Sequence, residues 1–348
     1  MCRRGFVLAT GLLFWGVAAG VAGASPEGRT PADPPRVDRA LRGYAVAVER
    51  TLRDAFDVRQ AALPAAARAD AEAADLTRAA IGHAAKWAAT VHRPTAAVPD
   101  GWPARQTLKA ELDDLHDRGY REPLFGVLHR VIGADGASPR VQAPFFAAEA
   151  MAGVYPPAAT LVAADLALLA QAEIRGRAFH LAPAMMTLRA KRYEQLVGLA
   201  TGDGALPADV EVWIGPLVNR LVRDVPPDVA NRLLPRLRPV WDAGDRAEAH
   251  PRGWLAGLVA GHLATEAAWE ARGGGWASET SDERFAEMER LLALARPALE
   301  ASFAQRPDVM SAAEMITNLM LGAGGGGAET MRRWFDRAVA VDPDEPTP

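Results

Sequence analysis

Apolar residues recur at helical spacing from Val37 onward. Leu41, Tyr44, Val48, Leu52 and Phe56 stand three or four positions apart, which puts them on one face of a helix. Pro64 ends that element. An alanine-rich helix is predicted over 65–91, with Leu76, Ile81, Ala84 and Trp87 on its buried side. Shorter periodic runs follow at 107–118, with Leu108, Leu112 and Leu115 in register, and at 123–132, where Pro123 suits a first helical turn. A segment at 145–151 and helices at 158–174, 183–200, 207–225, 228–243 and 254–272 continue the pattern, and 281–305, 308–321 and 328–341 complete it. No alternating β-branched run and no flanked Asn-Gly or Asp-Gly turn is present, so strands are not expected. The pattern predicts an all-α protein of about a dozen helices joined by short Pro- and Gly-rich turns.

Each predicted helix carries a narrow apolar stripe and much alanine, so one hairpin cannot bury its face alone. Stacked pairs can share a continuous core, and small residues at facing positions let helix axes approach closely. The C-terminal part shows a matching period. Ser302 and Ala338 each stand five positions before a Pro-Asp, and the two prolines, Pro307 and Pro343, lie 36 residues apart. A period of that size containing a helical pair marks a stacked helical repeat.

Counting back from Pro343, Ala338 is small and Phe335 is a large aromatic; counting forward from Pro307, Ile316 and Met320 are apolar. This stretch resembles the tetratricopeptide repeat, whose second helix carries an aromatic, a small residue and a closing proline at those spacings. Thr317 stands where that family usually has glycine, and Met331 where it usually has alanine. No aromatic opens the first helix, the glycine run 322–327 lengthens the inner loop, and the preceding pair, 254–272 with 281–305, is longer than a standard repeat. A looser resemblance, from Leu108 onward, is to uncharacterised secreted helical-repeat proteins of planctomycete-type bacteria. It rests on the segment from Ala267 through Trp269, Arg272 and Trp276 to Ala277, on Glu122-Pro123-Leu124 and on Tyr155-Pro156-Pro157. Together the resemblances imply antiparallel helix pairs stacked as a tetratricopeptide-like α-solenoid of about a dozen helices, divided into a helical region over 36–250, tetratricopeptide-like helix pairs over 251–345 and a tail, 346–348. A further repeat or a polar capping helix would be expected after Pro343, and without one the last pair offers its apolar side to a partner.

The N-terminus changes the picture of compartment. A short basic start with Arg3 and Arg4, an apolar stretch from Val7 to Val21, and Ala22-Gly23-Ala24 follow in the order of a secretory signal peptide. Residues 1–24 are therefore expected to be a cleaved signal and 25–35 a proline-rich linker, leaving no stable membrane span. Arg3-Arg4-Gly5-Phe6-Val7 also resembles the twin-arginine export signature, but the general secretory route fits the very short basic region better. The expected location is the periplasm or the extracellular space. Cys2 is the only cysteine, so the mature chain would hold no disulfide, thiol nucleophile or thiolate metal site. Formal net charge is −4 with both signs interspersed, which gives no electrostatic footprint for nucleic acid.

Candidate chemistry is sparse. The glycine run from Gly322 to Gly327 matches a dinucleotide-binding pattern by letter, but a helix precedes it where a strand is needed. The seven histidines include no His-Glu-x-x-His pair. His262 and Glu266 lie one helical turn apart and Asp113 and His116 lie three residues apart; helix-surface hydrogen bonding is the ordinary reading of such pairs. No Gly-x-Ser-x-Gly elbow is present. No catalytic, cofactor-binding or metal-ligating set emerges. Trp254, Trp269, Trp276 and Trp334 are dense in one region, where they serve as wedges between alanine-rich helices or line an aromatic groove. The sequence thus points to an exported, non-enzymatic scaffold binding a protein or peptide, with Trp269, Arg272, Trp276, Trp334 and Phe335 as contact candidates. The alternative is an envelope hydrolase with its site inside the superhelix.

Overall fold

The computed structural model describes residues 36–91, 102–133, 154–174, 182–242, 249–274, 280–323 and 327–341. Among these, all regular structure is helical. Twelve α-helices follow in order: α1 (Arg36–Ala62), α2 (Ala71–Val91), α3 (Trp102–Asp117), α4 (Pro123–Gly133), α5 (Pro157–Ile174) and α6 (Ala182–Thr201), then α7 (Ala208–Leu221), α8 (Pro227–Trp241), α9 (Gly253–Arg272), α10 (Asp282–Gln305), α11 (Met310–Ala323) and α12 (Ala328–Val341). The expected signal segment 1–24, the linker 25–35, the candidate segment 145–151 and the tail 346–348 lie outside the described residues. No described helix is long and apolar enough to cross a membrane.

Local chemistry sets several boundaries that periodicity misplaces. The second helix begins at Ala71, not Ala65, because Asp70 accepts the Ala73 backbone N–H at 2.8 Å. An acceptor in that position satisfies one of the orphan donors of a helix start. The skipped residues hold a single 3₁₀ turn, Ala65–Ala67. Beside it, Arg68 donates to the carbonyls of Leu63 and Ala61 at the end of α1. Glu122 caps α4 in the same way, its Oε2 accepting the Phe125 N–H at 2.8 Å, while Pro123 occupies the first helical position where no N–H is needed.

The predicted apolar face of α1 is the buried one: Leu41, Tyr44, Val48, Leu52 and Phe56 are each no more than 2% exposed. Helix α1 packs on α2 and α5 and also on α7, far along the chain. Helices α3 and α4 pack on α2 and on each other, and α4 also packs on α5. Beyond α5 the packing runs α6, α8, α9, α10, α11, α12 with each helix against the next, and α9 also touches α7 and α11. The α1–α7 contact makes the packing more than nearest-neighbour stacking.

Helix α9 is the axis of the C-terminal half. From Gly253 to Thr265 each of its residues is buried, as a helix apolar all round must be. Gly253, Gly257 and Gly261 form a stripe at four-residue spacing against α10. A β-carbon at Gly257 would lie 2.6 Å from the Ala298 carbonyl oxygen, and one at Gly261 would collide with the Leu299 side chain. The absent side chains let the two backbones close on each other, and α9–α10 is the most extensive helix pair among the described residues.

Candidate functional site

Four polar clusters and one aromatic edge stand out from this scaffold. The most buried cluster joins α1, α5 and α6. Tyr44 donates its hydroxyl to Asp165 at 2.5 Å, and the same carboxylate pairs with Arg192. The Tyr44 ring meets Trp213 of α7 edge-on at 5.1 Å, so four helices meet here. Burial first, then the adjacent carboxylate, holds the Tyr44 hydroxyl well above the usual phenol range. It remains a neutral donor. A buried ion pair of this kind adds little net stability over an apolar junction of the same shape.

A second cluster lies where α3 meets α4. Asp113 accepts from Lys109 at 2.8 Å and from His129 Nε2, also at 2.8 Å. The His129 ring lies parallel to that of His116 at 4.5 Å and nearly parallel to that of Phe125 at 5.8 Å. Burial pushes the Asp113 carboxyl up, but the Lys109 and His129 hydrogen bonds outweigh it and hold the group below its ordinary value. Burial pulls the His129 imidazole down, partly offset by Asp113 and reinforced by His116. An ionised Asp113 can only accept, so the Nε2 facing it carries the proton. The expected Asp113–His116 pairing within one helix therefore gives way to an inter-helix bond with His129, across 16 residues of sequence. Only the approach of α4 to α3 brings those groups together.

The third cluster surrounds the turn between α7 and α8. Asp224 has a left-handed backbone (φ 52°), tolerable for aspartate. Glu266 accepts the Asp224 N–H at 3.2 Å, Arg189 pairs with the Asp224 side chain at 2.8 Å, and Tyr193 donates to the Arg223 carbonyl. His262 lies one turn before Glu266 on α9 but does not bond to it. Its imidazole is 1% exposed, and neither nitrogen has a partner among the described residues. Burial, then the Arg223 charge, lowers its pKa to about 3, and burial raises that of Glu266.

A fourth arrangement is a single side chain. Arg252, just before α9, donates to the carbonyls of Leu199, Asp203, Gly204 and Ala205 at 2.8, 2.8, 2.9 and 3.3 Å. It collects the free acceptors at the C-terminal end of α6 and clamps them to the start of α9.

The residues singled out in the sequence divide. Trp269 is 38% exposed near the end of α9, with the Arg272 guanidinium over its ring at 5.8 Å. Trp334 is buried in α12, edge-on to Phe303 at 5.3 Å and covered by Arg337 at 4.3 Å. Trp254 is also buried, under the Arg306 guanidinium at 5.0 Å. Phe335 is half-buried, and Trp276 lies outside the described residues. The structure thus joins Trp269 with Arg272, while Trp334 and Trp254 fill gaps between helices. The first of the two Pro-Asp pairs has a local role, because Asp308 receives both Nε and Nη2 of Arg306 at 2.8 Å while Arg306 also reaches Glu211 on α7. No group of three histidine, cysteine or acidic residues suited to a metal ion occurs among the described residues. No family model, no curated protein and no solved structure matches the chain.

Proposed function

We propose that this chain is an exported helical-repeat scaffold that docks a protein or peptide partner and performs no chemistry of its own. Trp269 and Arg272 form the centre of the contact. The observation that carries the reading is Trp269, 38% exposed and the one aromatic among the exposed large hydrophobics of the described residues, with the Arg272 guanidinium over its face. Tryptophan and arginine dominate contact energetics where they can be desolvated together. The order of packing from α9 to α12, each helix on the next and α9 also on α11, is compatible with tetratricopeptide-like stacking and supports a surface built from successive pairs. A photo-crosslinking amino acid placed at Trp269 in the living cell tests this. The expected result is one discrete crosslinked species, absent when the same group replaces Val58, which is 71% exposed on α1. Equal diffuse labelling at the two positions would reject the reading.

A further inference from the structure

We propose that the parallel His116–His129 stack is an acid-sensitive clasp that holds α3 against α4 at neutral pH and releases it on mild acidification. The device stands on geometry. The two rings face each other at 4.5 Å with planes 6° apart, and His129 Nε2 donates to Asp113 at 2.8 Å. Helix α3 is otherwise lightly held. Among its described side chains only Leu112 and Leu115 are buried, with Leu108 partly covered, and its packing is against α2 and α4.

Neutral imidazoles stack without penalty, and the His129 N–H satisfies Asp113. The first proton added to His129 keeps the Asp113 contact but places a cation in a half-buried site. Positive charge on the facing His116 ring would meet it at contact distance, where repulsion is only partly screened. The charged groups around the stack do not cancel this. Lys109 already shares the Asp113 carboxylate, Arg130 on α4 adds positive charge, and Asp117 lies 3.7 Å from His116 Nδ1 but is largely solvent-exposed. On the α2 side, Glu72 is taken up by Arg118 at 3.1 Å. Detached, the His129 ring regains water. The detached form therefore binds protons more readily, and falling pH favours it. The depressed Asp113 carboxyl acts in the same sense at still lower pH.

Hydrogen exchange read by mass spectrometry on the full chain tests the clasp, with rates corrected for the intrinsic effect of pH. Between pH 7.5 and pH 5 the protection of α3 amides should fall by about tenfold. The amides of α1 serve as the internal reference for any change in global stability, and the loss in α3 should exceed theirs. His129→Gln can still donate to Asp113 but cannot take a proton, and His116→Ala removes the facing ring; both should flatten the pH response of α3. Protection of α3 independent of pH in the wild-type chain would overturn the proposal, and so would a wild-type response retained in either variant. If His129→Gln does not fold, the wild-type series and His116→Ala decide alone.

Discussion

At the scale of single residues, the glycines of α9 carry more of the fold than their size suggests. Gly257 faces the backbone of α10, so the methyl of Gly257→Ala meets a carbonyl oxygen that cannot swing aside. Separation of the two helices is the only relief, and overpacking of this kind costs about 1–3 kcal/mol. Gly126, inside α4, is the control, because a β-carbon there meets nothing within 4 Å. Gly126→Ala should instead stabilise by about 0.5–1 kcal/mol through helix propensity and a less flexible unfolded chain. Urea unfolding of both variants checks the opposite signs, and a neutral Gly257→Ala would mean that the α9–α10 approach is looser than described. The stripe could be seen in the sequence as three glycines at helical spacing, but not its partner, because Ala298 and Ser302 lie on a helix no different in pattern from its neighbours.

At the scale of elements, periodicity located the helices because burial of one face is a local pattern. It could not find the side chains that join them. Arg252 reaches back 48 residues to the Gly204 carbonyl, and nothing near Arg252 distinguishes it from the exposed arginines of α8. The same holds for His129 with Asp113 and for Tyr44 with Asp165, the latter pair separated by 121 residues. Conversely, Pro64 marks the end of α1, while the start of α2 is set by the Asp70 cap, which periodicity does not register. Arg252→Ala would leave the last carbonyls of α6 and the following turn without their donor. Bonds to a charged group contribute about 1.5–3 kcal/mol each when lost without replacement, but water reaches much of this exposed turn, so a loss of about 2 kcal/mol in total is expected. Arg252→Lys should recover only a small part, since an ammonium cannot span four acceptors as a planar guanidinium does. Equal stability of the lysine and wild-type chains would show that the clamp is ornamental.

At the scale of the whole molecule, two buried polar devices set how the halves respond to change. Removing the charge at Asp165 by Asp165→Asn strands the Arg192 cation inside the four-helix junction, and breaking a buried pair from one side costs about 3–5 kcal/mol; thermal unfolding should show it as a large fall in midpoint. His262 acts through pH. Its folded pKa of about 3 lies below the ordinary 6.5, so above 6.5 both folded and unfolded chains hold it neutral and nothing is lost. As the pH falls below 6.5 the unfolded chain takes up a proton that the folded chain refuses, and stability declines by up to about 1.4 kcal/mol per unit until the folded group itself titrates. Glu266 works the other way, because its raised folded pKa makes the native state the better proton acceptor just above the carboxylate range. A raw stability profile therefore mixes opposing slopes, and the difference between wild type and His262→Leu isolates one of them. That substitution exchanges an unpartnered imidazole for an apolar group of similar size, so it should be neutral or stabilising at pH 7.5. Its advantage should then widen steadily in urea unfolding at pH 6, 5.5 and 5. A constant difference across that range would mean that His262 finds a hydrogen-bond acceptor in the folded chain and that burial does not keep its imidazole neutral.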